Sequence, residues 1–170
     1  MISKVALVIV ILFFSLACSA PKLTEAELEI IRQEVMDTDL AFSTYSNEIG
    51  FRKALVEYAA DDAIKLVDDA FPIGKAQLRL DAQLDTLGNS RGTLTWRPLK
   101  VHLAASGDLA AAFGDWKLLT KSPRTSNDTT LYGNYITVWK KQVDGSWKYV
   151  VDGGNPTPGP TPASLLEIVN

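Results

Sequence analysis

YGNYITVWKKQVDGSWKYVVDGG, residues Tyr132 to Gly154, sets two runs of β-branched and aromatic residues around Asp144-Gly145. Asp-Gly between such runs predicts a hairpin closed by a type I′ turn, with positive φ at both central residues. Side chains alternate across a strand. Tyr135, Thr137 and Trp139 are therefore expected on one face of the first strand, and Trp147, Tyr149 and Val151 on one face of the second. The rest of the chain reads as cover for one side of this hairpin.

Outward from it, the two-residue period extends upstream and predicts a meander with strands over 93–103, 109–120, 130–142 and 146–155. Ser106-Gly107-Asp108 supplies one tight turn, while 121–129 is a long polar connection. Downstream, four prolines between Pro156 and Pro162 predict an extended tail outside any sheet, followed by a turn over 164–170.

Before the meander the period is helical. Thr24 with Glu27 has the spacing of a capping box. Leu28, Ile31, Val35, Phe42, Tyr45 and Ile49 form the apolar stripe of a first helix. Glu25, Glu29, Arg32, Gln33 and Asp37 form its wet face. Gly50 ends it, and Phe51, Leu55 and Tyr58 begin a second, shorter helix. Residues 63–67 read as a strand, Asp68-Asp69 as a turn and 71–73 as a strand stub. A third helix starts at Gly74, with Leu80, Leu84 and Leu87 on its buried face and Gly88-Asn89 as its stop. Helices first and antiparallel strands after predict an α+β fold, a curved sheet wrapped around N-terminal helices.

The chain has 170 residues and a net charge of −3, the size of one domain with a mildly acidic surface. Lys and Arg are scattered among carboxylates with no basic run, so no nucleic-acid partner is expected. Lys4 and the apolar run 5–16 have the form of a secretory signal. Cys18, the single cysteine, follows at Leu16-Ala17. This junction resembles the bacterial lipoprotein signal. That resemblance implies cleavage before Cys18, lipid on its sulfur, and anchoring in the cell envelope. By the same resemblance, Ser19 in place of Asp implies an anchor in the outer membrane, facing the periplasm. The expected organisation is a signal peptide over 1–17, a tether over 18–23, one domain over 24–156 and a Pro-rich tail over 157–170.

The helices and meander together resemble the nuclear transport factor 2-like superfamily, which includes ketosteroid isomerase-like and SnoaL-like proteins. The resemblance is carried by DLAFSTYS, YAADDAI, TLTWRP, ASGDLAAAFGDWKL and GNYITVWKKQVDGSWK with DGGNP. It implies a cone with a pocket between sheet and helices, and a homodimer formed through the outer sheet face.

The residue types narrow the chemistry. His102 is the single histidine, so no zinc constellation exists, and it is expected to be structural. No metal and no cofactor are expected. No nucleophile triad, phosphate loop or dinucleotide glycine pattern occurs. What remains is an apolar pocket with a few polar groups. Tyr45, Trp96, Asp115, Tyr132, Trp139 and Asp152 are its expected lining. Asp115 and Asp152 are the candidates for an acid–base carboxylate, with Tyr45, Tyr58, Tyr132 and Tyr135 as donors. The first functional reading is a lipid-anchored domain that binds a small apolar or amphipathic molecule. The second is a cofactor-independent isomerase, dehydratase or cyclase.

Overall fold

The structure is a computed structural model that describes residues 22–85 and 92–169. Cys18 and the signal segment, and Leu87, Gly88 and Asn89, lie outside the described residues.

Helix α1 (Glu25–Ile49) starts at the expected capping box. The Thr24 N–H donates to Glu27 Oε2 at 2.7 Å, and the Glu27 N–H donates to Thr24 Oγ1 at 3.3 Å. Gly50, with φ of 99°, ends α1 and turns the chain into α2 (Phe51–Tyr58). Strand β1 (Ala59–Lys65) follows directly, so Asp61 and Asp62 lie within the strand, ahead of the expected start at residue 63. After the Asp68-Asp69 turn come β2 (Ile73–Gly74) and α3 (Lys75–Leu84). The buried residue of α3 is Leu78, while Leu80 and Leu84 face solvent. Two residues along a helix is more than half a turn, so the expected stripe was rotated away from the core. The inner stripe runs instead through Leu78, Asp81 and Asp85.

Strands β3 (Thr93–Leu103), β4 (Leu109–Lys121), β5 (Asp128–Lys141) and β6 (Trp147–Thr157) form the expected antiparallel meander. The six-stranded sheet has the order β2-β1-β6-β5-β4-β3, and β1 runs parallel to β6. It is curved and unclosed, with the helices on its concave side. Pro156 and Thr157 belong to β6, opposite Gly133 and Tyr132. The expectation that Pro156 stays out of the sheet fails because β1 has already left β6 beyond Asp152. That part of β6 is an edge, where a missing N–H costs no ladder bond. The tail then leads to α4 (Ala163–Val169), beside β3. His102 is exposed on the outer face of β3, against the structural role expected of it.

The hairpin between β5 and β6 departs from the expected type I′ turn. Gly145 has φ of 85°, but Asp144 is not in the left-handed region. The Gly145 N–H donates to the Gln142 carbonyl at 2.9 Å, and Gln142 and Ser146 close the ladder at 2.7 Å. One extra residue at the tip lets Asp144 keep ordinary φ, with Gly145 alone in the left-handed region.

An aromatic cluster fixes the helices to the sheet. Phe42 of α1 stacks on Tyr58 at 4.5 Å and meets Trp96 edge-on at 4.8 Å. Trp139 and Tyr149, both fully buried, pack perpendicular to each other at 6.3 Å.

Candidate functional site

Between α1, α2, α3 and the open end of the sheet lies a cavity of about 540 Å³. Phe42 and Leu55 wall it from the helices, and Leu94, Trp96, Trp116 and Leu118 wall it from the sheet. Two glycines let aromatic rings lie along the sheet here. A Cβ on Gly114 would collide with the Tyr135 ring, and one on Gly133 would collide with the Trp116 indole. β3 is an edge strand, so the outward-facing Trp96 N–H has no strand partner. It donates instead to Ser43 Oγ of α1 at 2.9 Å, which pins this wall to the helix.

A polar centre interrupts the apolar wall. Lys65 Nζ lies 2.8 Å from Asp152 Oδ2, with side chains 18% and 11% exposed. Thr137 Oγ1 donates to Asp152 Oδ1 at 2.7 Å. All of these residues line the cavity. A bulge creates this arrangement. Trp139 pairs with Tyr149 but Val138 pairs with Val151, so Val150 is an extra residue in β6. Beyond it the strand changes phase. Tyr149 faces inward, and so does Asp152 opposite Thr137. Val151, expected inward with Trp147 and Tyr149, lies on the outer face. Further charges surround the opening: Arg52 lies 3.7 Å from Asp85, and Asp68 and Asp81 also line the cavity.

A second carboxylate lies behind the cavity wall. Asp39 of α1 is fully buried. Its oxygens accept from Tyr135 Oη at 2.7 Å and Trp139 Nε1 at 3.1 Å. Burial pushes its pKa from 3.8 up to about 6, against the lowering effect of these donors. Burial and the nearby Asp39 carboxylate push the Tyr135 hydroxyl upward too. Tyr135 lines the cavity, so Asp39 stands one side chain away from it.

Of the residues expected at the site, Trp96 and Asp152 line the cavity. Trp139 is in the core behind it, 0% exposed. Tyr45 is half-buried and packs towards the Tyr58 ring at 6.2 Å, away from the cavity lining. Asp115 and Tyr132 face the opposite side of the sheet. Gly114 and Trp116 point inward, so Asp115 between them points out, where Arg97 holds it through Nε at 2.9 Å. Gly133 points inward, so its neighbour Tyr132 points out. Both line a separate groove of about 440 Å³ bounded by Pro160 and Thr161 of the tail. Lys65, Thr137 and Asp39 were not anticipated. Asp39 carries a readable signal, a carboxylate at the spacing that joins Val35 to Phe42 in the buried stripe of α1.

This architecture is the nuclear transport factor 2-like fold, a helix-backed cone with an internal cavity. Similar solved structures include a ketosteroid isomerase-like protein from Erwinia carotovora atroseptica. It has a TM-score of 0.60 and 16% identity, with 80% of this chain and 100% of that one covered. A nuclear transport factor 2-like superfamily protein from Salmonella enterica gives 0.60 and 16%, covering 79% and 94%. The association domain of Caenorhabditis elegans CaMKII gives 0.58 and 13%, covering 72% and 93%. No protein-family model matches the sequence, and no curated protein does.

Proposed function

We propose that the cone binds a small, largely apolar molecule in the cavity between α1 and the sheet. The observation that carries this reading is the cavity itself, about 540 Å³ with aromatic and aliphatic walls around the Lys65–Asp152 pair. That is the make-up of a small-molecule site. The isomerase, dehydratase or cyclase reading has one observation in its favour, a carboxylate beside an ammonium inside the cavity. Binding takes precedence because Asp152 already has both oxygens engaged, by Lys65 and Thr137.

The domain works at a membrane surface in this proposal. Cys18 carries lipid and tethers the cone to the periplasmic face of the outer membrane, as the signal-like segment before it suggests. A second copy is the proposed protein partner, through the outer sheet face. There Phe113, Ile136, Val138 and Val151 bring apolar side chains together across neighbouring strands.

Binding is tested with N-phenyl-1-naphthylamine, an uncharged dye that brightens in apolar surroundings. Saturable one-to-one brightening is expected, and weaker binding in Leu94→Trp, which narrows the cavity. Brightening that never saturates, or an affinity unchanged in Leu94→Trp, removes the cavity as a binding site. The anchor is tested by metabolic labelling with an alkyne fatty acid, with label expected on the wild type and none on Cys18→Ser. An unlabelled wild type ends the lipoprotein reading.

A further inference from the structure

The polar centre of the cavity has unequal hydrogen-bonding capacity. Asp152 uses one oxygen for Thr137 and the other for Lys65. An ammonium has three N–H donors and no acceptor. Among the described residues, the recorded partner of Lys65 is Asp152. The ammonium therefore has two N–H donors to spare for whatever enters the cavity, while each Asp152 oxygen already accepts one bond.

Charge limits what can take those donors. Among the described residues, the lining holds Arg52 and Lys65 against Asp68, Asp81, Asp85 and Asp152, so carboxylates outnumber cations there. A ligand carboxylate at Lys65 would add another anion beside Asp152 in weakly screened surroundings. A hydrocarbon would leave the ammonium N–H groups not bound to Asp152 without water and without a partner. An uncharged oxygen acceptor avoids both costs.

We infer that Lys65 sets ligand specificity, selecting an uncharged, mainly apolar molecule whose oxygen acceptor takes a spare Lys65 N–H. This rests on the binding reading above and adds the polarity of the ligand to it. Esters, lactones and amides belong to the selected class. Fatty acids and plain hydrocarbons do not. Asp152 and Thr137 act as positioning residues. Thr137 orients Asp152, Asp152 holds the ammonium in the apolar wall, and Lys65 makes the contact.

Calorimetry with three probes of similar shape tests this: methyl 2-naphthoate, 2-propylnaphthalene and 2-naphthoate. The ester should bind about tenfold tighter than either of the others, as expected for one hydrogen bond from a charged donor. In the paired variant Lys65→Met, Asp152→Asn, which removes both charges together, the preference of ester over hydrocarbon should vanish. A measurement on the wild type keeps the inference testable if that variant does not fold. The carbonyl stretch of the bound ester should lie below its value in hexane. The inference is overturned by equal affinity for ester and hydrocarbon, by tightest binding of the carboxylate, by a preference that survives the variant, or by an unshifted carbonyl band. If none of the three probes binds, the cavity reading itself falls and takes this inference with it.

Discussion

Replacing Asp39 with Asn should change how stability depends on pH, in a direction opposite to that of most carboxylates. Asp39 is fully buried, and the donors that hold it are a phenol and an indole. Its folded pKa of about 6 stands above the ordinary 3.8. Between those values the folded protein keeps a proton that the unfolded chain has released. Stability therefore falls as pH rises through this window, and the loss persists above it. Each unit of difference corresponds to about 1.4 kcal/mol, so the loss is about 3 kcal/mol by neutral pH. Asn is neutral and fits the same partners. Its oxygen accepts from Trp139, and its amide donates to the Tyr135 oxygen once that hydroxyl has turned. The assay is urea unfolding of both proteins in matched buffers, followed by tryptophan fluorescence. Groups that titrate alike in both proteins cancel in the difference. The stability of wild type minus variant should drop by about 3 kcal/mol between roughly pH 4 and pH 7. A difference that stays flat, or that grows with pH, refutes the reasoning.

Two further outcomes follow from the packing. Trp147 is 6% exposed in the hairpin, so Trp147→Ala should cost about 3–5 kcal/mol in the same unfolding assay. A cost below about 1 kcal/mol would mean that its burial contributes little. Gly114→Ala places a methyl group against the Tyr135 ring and the Arg97 carbonyl, both near the cavity wall. It should destabilise by about 1–3 kcal/mol and weaken dye binding, whereas an unchanged variant would show that β4 yields easily.

Most of the fold was readable because each element announced itself by its own period. The capping box at Thr24, the break at Gly50 and the strand spans of the meander all depend on local chemistry. The candidate site was harder because it depends on phase. Val150 is the case in point. Nothing in WKYVVDGG marks it as the extra residue, yet it decides that Asp152 faces the cavity and Val151 does not. Asp115 was misassigned for a related reason: it sits in a strand between two inward residues, and only the register says which side is inside. Lys65 is not legible as a site residue because its partner lies on a strand remote in sequence though adjacent in the sheet, so no local spacing connects them. Asp39 was the legible omission, since its place in the apolar stripe of α1 could be counted directly.

The position of β1 in the sheet has a consequence for how the molecule assembles. β1 pairs with β2 and with β6, the last strand of the chain. Until Trp147–Thr157 exists, the first strand has no long partner and the helical layer has only part of its sheet to rest on. Lys65 cannot meet Asp152, nor Asp39 meet Trp139 across a separation of 100 residues, before the meander is in place. Contacts so remote in the chain close late and slow folding. The cone therefore cannot be completed before Trp147–Thr157 is available to pair, since the ion pair in the cavity needs Asp152 of that strand.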